Sequence, residues 1–285
     1  MANVHNIRFR FVTPPPTQPP ALLNYVCFFP HLFGLKVACT QFNNLFNEIT
    51  GGRPVYLDWP WYRNSPKVVG WSKQQLEDAI VDPAWHKAIF YREPMERFLS
   101  GYRSKCERRH DKDGANHCKK YFGRKRIAFE TAVDAVASVD RKMSHAEQLA
   151  ESFDVHWTRQ SKYCGGLDRS LQYYDTVVRV DKNTAREEVR TMLNKSGIDA
   201  SRLTKFDKLF PEGKAGNTGK NKGHVTASDA HMLEYFKTFQ LTNIIKQHYV
   251  EDYRVFGIQA PSWAVDEEAF LEHQRAPQES SSRPG

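Results

Sequence analysis

No stretch of this 285-residue chain is apolar for long enough to cross a bilayer as a helix. The longest apolar run, "ALLNYVCFFPHLFGL" at 21–35, contains Asn24, Pro30 and His31, so it reads as a buried strand followed by a loop. The N-terminal "MANVHNIRFRFVTPPPTQPP" lacks a continuous apolar segment of the secretory kind, and its proline cluster is incompatible with a helix. Cysteine is scarce. Cys27, Cys39, Cys106, Cys118 and Cys164 show neither C-x-x-C nor Cys/His zinc spacing, and an odd number cannot all pair. A disulfide scaffold is not expected, while a single bridge such as Cys106 to Cys118 stays open. The Walker pattern is also missing. Its one lookalike, "GNTGKN" at 216–221, has the wrong glycine spacing and Asn221 where a Ser or Thr would hold Mg²⁺, which argues against an ATPase or kinase of that class.

What the chain does have is positive charge. Forty-one Lys and Arg against 33 Asp and Glu leave a formal charge of +8 and a pI near 9.2, which favours anionic ligands. No nucleic-acid motif accompanies the charge, so no nucleic acid is expected as partner. With 40% hydrophobic and 13% aromatic residues the chain can bury a substantial core.

Apolar runs bounded by turn residues alternate with segments of helical period. The spacing predicts strands at 24–29, 87–92 and 175–180, and helices at 40–48, 72–81, 124–139 and 184–195, with two more helical stretches over 226–248. This alternation predicts an α/β fold: one domain at 21–262 with a central, mostly parallel sheet flanked by helices. Residues 1–20 form a proline-containing lead segment. Residues 263–285 form an extension, disordered from about 271, and the Gly/Lys-rich "PEGKAGNTGKNKG" at 211–223 is a loop.

Two predicted strands run directly into helices, and such junctions bind phosphates because free backbone N–H groups and the helix dipole point at the ligand. The first junction is "LKVACTQF" at 35–42. The second is "FYREPMERFLSGYR" at 90–103, where Pro94 suits a first helical turn and Met95, Phe98, Leu99 and Tyr102 form a core stripe.

Together these segments resemble the cofactor site of the sulfotransferases that use 3′-phosphoadenosine 5′-phosphosulfate (PAPS), in particular the carbohydrate branch with the chondroitin 4-O- and HNK-1-type enzymes. "KVACT" at 36–40 is similar to that family's loop around the 5′-phosphosulfate, and "REPMERFLSGYR" at 92–103 matches the fixed positions of R-[DE]-P-x-x-R-x-x-S-x-[YF]-R, the 3′-phosphate motif. "HWTRQSKYC" at 156–164 with "YYDTVVRVDK" at 173–182, and "YVEDYRVFGI" at 249–258, resemble two further motifs in the same order. Two departures stand out. "HLFGL" is inserted between Pro30 and Lys36, and Leu167 replaces a cysteine that usually follows Cys164 by three residues.

The resemblance implies a P-loop-like sulfotransferase fold and transfer of a sulfuryl group from PAPS to an acceptor hydroxyl on a carbohydrate, releasing PAP, with no metal. It assigns Lys36, the loop amides of Val37, Ala38, Cys39 and Thr40, and the Thr40 hydroxyl to the 5′-phosphosulfate, with Gln41 beside them. Arg92 and Ser100 are assigned to the 3′-phosphate, and Lys220, Lys222 and Gly223 to a basic loop over the phosphate; Phe42 is a candidate to stack on adenine, although an apolar residue in that helix is more often core. His86, and after it His156, are the candidate bases. An acceptor glycan or a soluble small molecule such as an alcohol, phenol or amine is the expected partner. A rival of another class is a non-catalytic polyanion-binding protein. Lacking a leader and an anchor, the chain is expected in the cytoplasm, or in the Golgi lumen if it is a truncated or atypical member.

Overall fold

The computed structural model describes residues 23–26, 39–49, 74, 78, 81–83, 85–107, 112–142, 156–181, 183–212 and 231–275. Three parallel strands, β1 (Leu23–Val26), β2 (Trp85–Tyr91) and β3 (Thr176–Arg179), lie in that spatial order, with Val26 opposite Ala88 and Tyr91 opposite Arg179. Central β2 is buried from His86 to Phe90, as its near-continuous apolar run requires of a strand covered on both faces. Its expected start at Lys87 moves to Trp85.

Two cores flank the sheet. One packs Ala88 and Phe90 of β2 against α1 (Cys39–Ile49), α6 (Ala185–Lys195) and α7 (Phe206–Leu209), through Phe42, Leu45, Val189, Met192, Leu193 and Phe206. The other is helical. It gathers α2 (Pro94–Tyr102), α3 (Lys112–Phe122), α4 (Phe129–Lys142), α8 (Met232–Tyr235), α9 (Phe239–His248) and the turn holding Trp157. The α/β class expected from the sequence is therefore observed.

Several boundaries differ for identifiable reasons. The helix expected from 124 begins at Phe129, because Gly123 takes a φ of +76° and the exposed cations Arg124, Lys125 and Arg126 would oppose the dipole at a helix N-terminus. Helix α3 was not legible, since "KDGANHCKKYF" has Gly114 and Asn116 inside it. Its buried Cys118 is disulfide-bonded to Cys106, with Cα atoms 5.2 Å apart, in the π-helical turn Arg103–Glu107 that follows α2. The two helical stretches expected over 226–248 are α8 and α9, starting at Met232 and Phe239, and between them the Thr238 hydroxyl accepts from the Leu241 N–H at 3.3 Å and caps α9. The tail is ordered further than expected. Helix α11 (Glu267–Arg275) buries Phe270, and Ala264 just before it belongs to the helical core.

Candidate active site at the carboxyl edge of the sheet

Because β1 and β2 are adjacent and parallel, the chain leaves both at the same edge, and α1 and α2 follow from it. Open α/β sheets bind ligands at this edge. At the β2 junction Arg92 and Glu93 connect the strand to α2, with Pro94 as its first helical residue. The Arg92 guanidinium pairs with the Glu96 carboxylate one turn on, and the two side chains are 18% and 16% exposed. Within α2, Glu96 and Ser100 are spaced by four residues and share a face, with Ser100 buried. A guanidinium already holding an oxyanion is a donor that fits a phosphate.

The amides of this helix start are not open, contrary to the expectation drawn from the motif. Pro94 has no N–H, and the buried Glu93 carboxylate accepts the Glu96 N–H at 2.6 Å. Burial pushes the Glu93 carboxyl above its ordinary value of 4.5, against the opposing pull of hydrogen bonds from Tyr253 and from the Glu96 and Met95 amides. The Tyr253 hydroxyl donates to Glu93 Oε1, and burial beside that carboxylate raises its own pKa, which keeps it a donor. An anion at this junction is met by side chains.

The same junction is held from behind. Gln160 opens the 3₁₀ turn Gln160–Gly165; its Oε1 accepts the Arg92 N–H and its Nε2 donates to the Arg92 carbonyl, each at 2.9 Å. Asp252 on α10 (Val250–Phe256) is fully buried and accepts the backbone N–H groups of Gln160 and Ser161 at 2.8 and 2.7 Å. Tyr249, Asp252, Tyr253 and Phe256 fall at i, i+3, i+4 and i+7, a single helix face. From it Tyr249 donates to the Trp157 carbonyl at 2.8 Å, and Phe256 stacks on Tyr91 at 4.4 Å. Gly257, with φ of +61°, closes the helix behind them. "YVEDYRVFGI" was legible as a motif, but these roles were missed, although that spacing signalled a single working face.

The remaining candidates separate. His86 sits at the amino end of β2, six residues from Arg92 and so about 20 Å along the strand. It is buried, its Nε2 lies 2.9 Å from Thr176 Oγ1, and burial, partly offset by Asp175, lowers its pKa. In the sheet its contact joins β2 to β3, and the loop residues Lys36, Val37 and Ala38, beside which a base near the sulfur was expected, lie outside the described residues. His156 is also buried, packed on His117 at 4.5 Å between ring centres, with its carbonyl close to Gly101 near the far end of α2. It is not brought beside Arg92. Phe42 is fully buried against Phe90 and Phe210, at 4.5 and 5.6 Å, so of its two expected roles the structure shows packing in the core. Gln41 is half-buried on the first turn of α1. Helix α1 opens at Cys39, one residue before the expected Thr40, and the side chains of both lie outside the described residues. Lys36, Val37, Ala38, Lys220, Lys222 and Gly223 also lie outside them. Among the described residues there is no group of His, Cys, Asp and Glu that could hold a metal ion.

Against known proteins, the model of the Sulfotransferase family matches residues 35–259, well over half of the chain. The chain belongs to the sulfotransferase family. Neither the search of curated proteins nor that of solved structures returned a match.

Proposed function

We propose that this sulfotransferase takes its sulfuryl group from PAPS and transfers it by in-line displacement to a hydroxyl on a carbohydrate, releasing PAP. The observation that carries the donor reading is the Arg92 guanidinium, seated where β2 meets α2 and already engaged with a carboxylate. In the proposal Arg92 and Ser100 hold the 3′-phosphate, which displaces Glu96 from Arg92. Lys36, the Val37–Thr40 amides and the Thr40 hydroxyl meet the charge that grows on the 5′-phosphate oxygens as the bond to sulfur breaks, and stabilising developing charge is the main way such a site lowers its barrier. Lys220 and Lys222 remain assigned to a loop over the phosphate. His86, and after it His156, remain the candidates to take the proton that the acceptor hydroxyl gives up as it attacks the sulfur. The carbohydrate acceptor rests on the motif resemblance, with a small-molecule alcohol, phenol or amine as the alternative.

The Cys106–Cys118 disulfide supports an oxidising compartment, and so the lumenal alternative over the cytoplasmic one. No helix among the described residues is long and apolar enough to cross a membrane.

The test is thermal stabilisation by PAP against ADP, on wild type and Arg92→Ala. A ligand that binds only the folded state adds about 2.7 kcal/mol at 100 times its Kd. The expected result is a PAP-selective shift that Arg92→Ala abolishes; equal or absent shifts overturn the donor reading. One observation favours a second reading, non-catalytic polyanion binding: Lys119, Lys120, Arg124, Lys125 and Arg126 are all exposed around the end of α3. That reading expects steeply salt-dependent binding with no preference for a 3′-phosphate.

A further inference from the structure

We infer that Gln160 and Asp252 are positioning residues for Arg92, setting the direction of its guanidinium and hence the selectivity of the site for a 3′-phosphate. The inference rests on the donor reading above. It assigns a role to two residues outside both phosphate motifs, 68 and 160 positions further along the chain than Arg92.

Sheet pairing of β2 ends at Tyr91, opposite Arg179. One residue later the peptide groups of Arg92 need new partners, and an unmatched buried peptide group is costly. A carboxamide offers the same donor and acceptor pair as a peptide, and Gln160 places both on Arg92, at 2.9 Å to its N–H and 2.9 Å to its carbonyl. Gln160 stands in for a strand neighbour and fixes the Arg92 backbone from both sides.

What fixes Gln160 is Asp252. The two carboxylate oxygens divide between successive N–H groups, 2.8 Å to Gln160 and 2.7 Å to Ser161, a charge-assisted fork at the start of a 3₁₀ turn. Both Gln160 and Asp252 are buried, at 2% and 0% exposure, while the Arg92 side chain at 18% reaches the surface. A rigid, buried support under a partly exposed guanidinium reduces the conformational freedom lost when that guanidinium grips an anion. Tyr253, on the same helix face, secures the next residue through Glu93, so a single turn of α10 holds two consecutive residues of the junction.

The experiment titrates PAP and ADP by calorimetry into wild type, Gln160→Ala, Gln160→Glu, Asp252→Asn, Arg92→Ala and the Arg92→Ala/Gln160→Ala double variant. Gln160→Ala is expected to weaken PAP about tenfold and leave ADP unchanged, since ADP lacks the 3′-phosphate. Gln160→Glu keeps the acceptor but not the donor and is expected to fall between. In the Arg92→Ala background Gln160→Ala is expected to change nothing further, because its effect runs through Arg92. Equal weakening of PAP and ADP, or an effect that persists without Arg92, overturns the positioning claim and leaves the donor reading standing. A wild type that binds PAP no better than ADP overturns the donor reading and the positioning claim with it. Should Asp252→Asn fail to fold, the two Gln160 variants carry the same test.

Discussion

The two ends of β2 both bury polar residues, and they are built in different ways. At the amino end the partners come from the neighbouring strand and the adjacent turn: His86 with Thr176 at 2.9 Å, the Lys87 N–H with Asp175 at 2.7 Å, and Lys87 Nζ with the Asp82 carbonyl at 3.0 Å. At the carboxyl end they come from remote elements, Gln160 and Tyr253, which grip Arg92 and Glu93. The first arrangement stitches strands together and leaves its polar groups facing one another. The second holds a backbone from behind and leaves a cation at the surface. Titratable residues at the two ends of one strand thus serve different purposes according to which partners the fold brings them.

Substitutions sharpen that contrast, and the largest effect is expected at the carboxyl end. Arg92→Ala removes a charge-assisted contact and should weaken PAP by about 100-fold with little change in melting temperature, measured by calorimetry and thermal denaturation side by side. A comparable loss for ADP would mean that Arg92 does not read the 3′-phosphate. Gly101→Ala should act on stability. A Cβ there would lie 3.0 Å from Trp157 Nε1 and 3.3 Å from the His156 carbonyl, so α2 must move off that turn, at a cost of about 1–3 kcal/mol seen in denaturant unfolding.

At the amino end His86→Asn should cost about 1 kcal/mol through the lost Thr176 contact and leave PAP affinity unchanged. Its pH signature has a definite sign. The folded-state pKa of His86 lies below the ordinary 6.5, so its contribution is present above that value and is lost as pH falls through the folded pKa. Wild type should therefore lose stability on acidification below about pH 6.5, and the variant's curve should be flatter there. An identical slope in both would remove His86 from the explanation. The smallest effect is expected for Glu96→Gln, which withdraws the carboxylate that occupies Arg92. PAP affinity should rise about threefold, the size of a partly exposed ion pair, and a fall would mean that Glu96 assists binding.

Much of this was legible because it is local. Pro94 at the first helical position, the stripe of Met95, Phe98, Leu99 and Tyr102, and the Arg92–Ser100 spacing are properties of a few consecutive residues, and they place α2 and the character of the junction. The start of α1 at Cys39 and the parallel α/β arrangement follow from the same periodicities. Partners brought from afar were not legible. That Tyr253 reaches Glu93, that Phe42 packs on Phe90 and Phe210, and that His86 meets Thr176 depend on packing between segments with no local signal of each other.

The amino-acid sequence by itself determined the class of chemistry, since cations at strand-to-helix junctions and the order of four motifs are written in one dimension. Only the tertiary structure decided which of those residues share a site. Burial and hydrogen-bond satisfaction act between residues far apart along the chain, and it is they that set Gln160 and Asp252 behind Arg92 and Thr176 against His86.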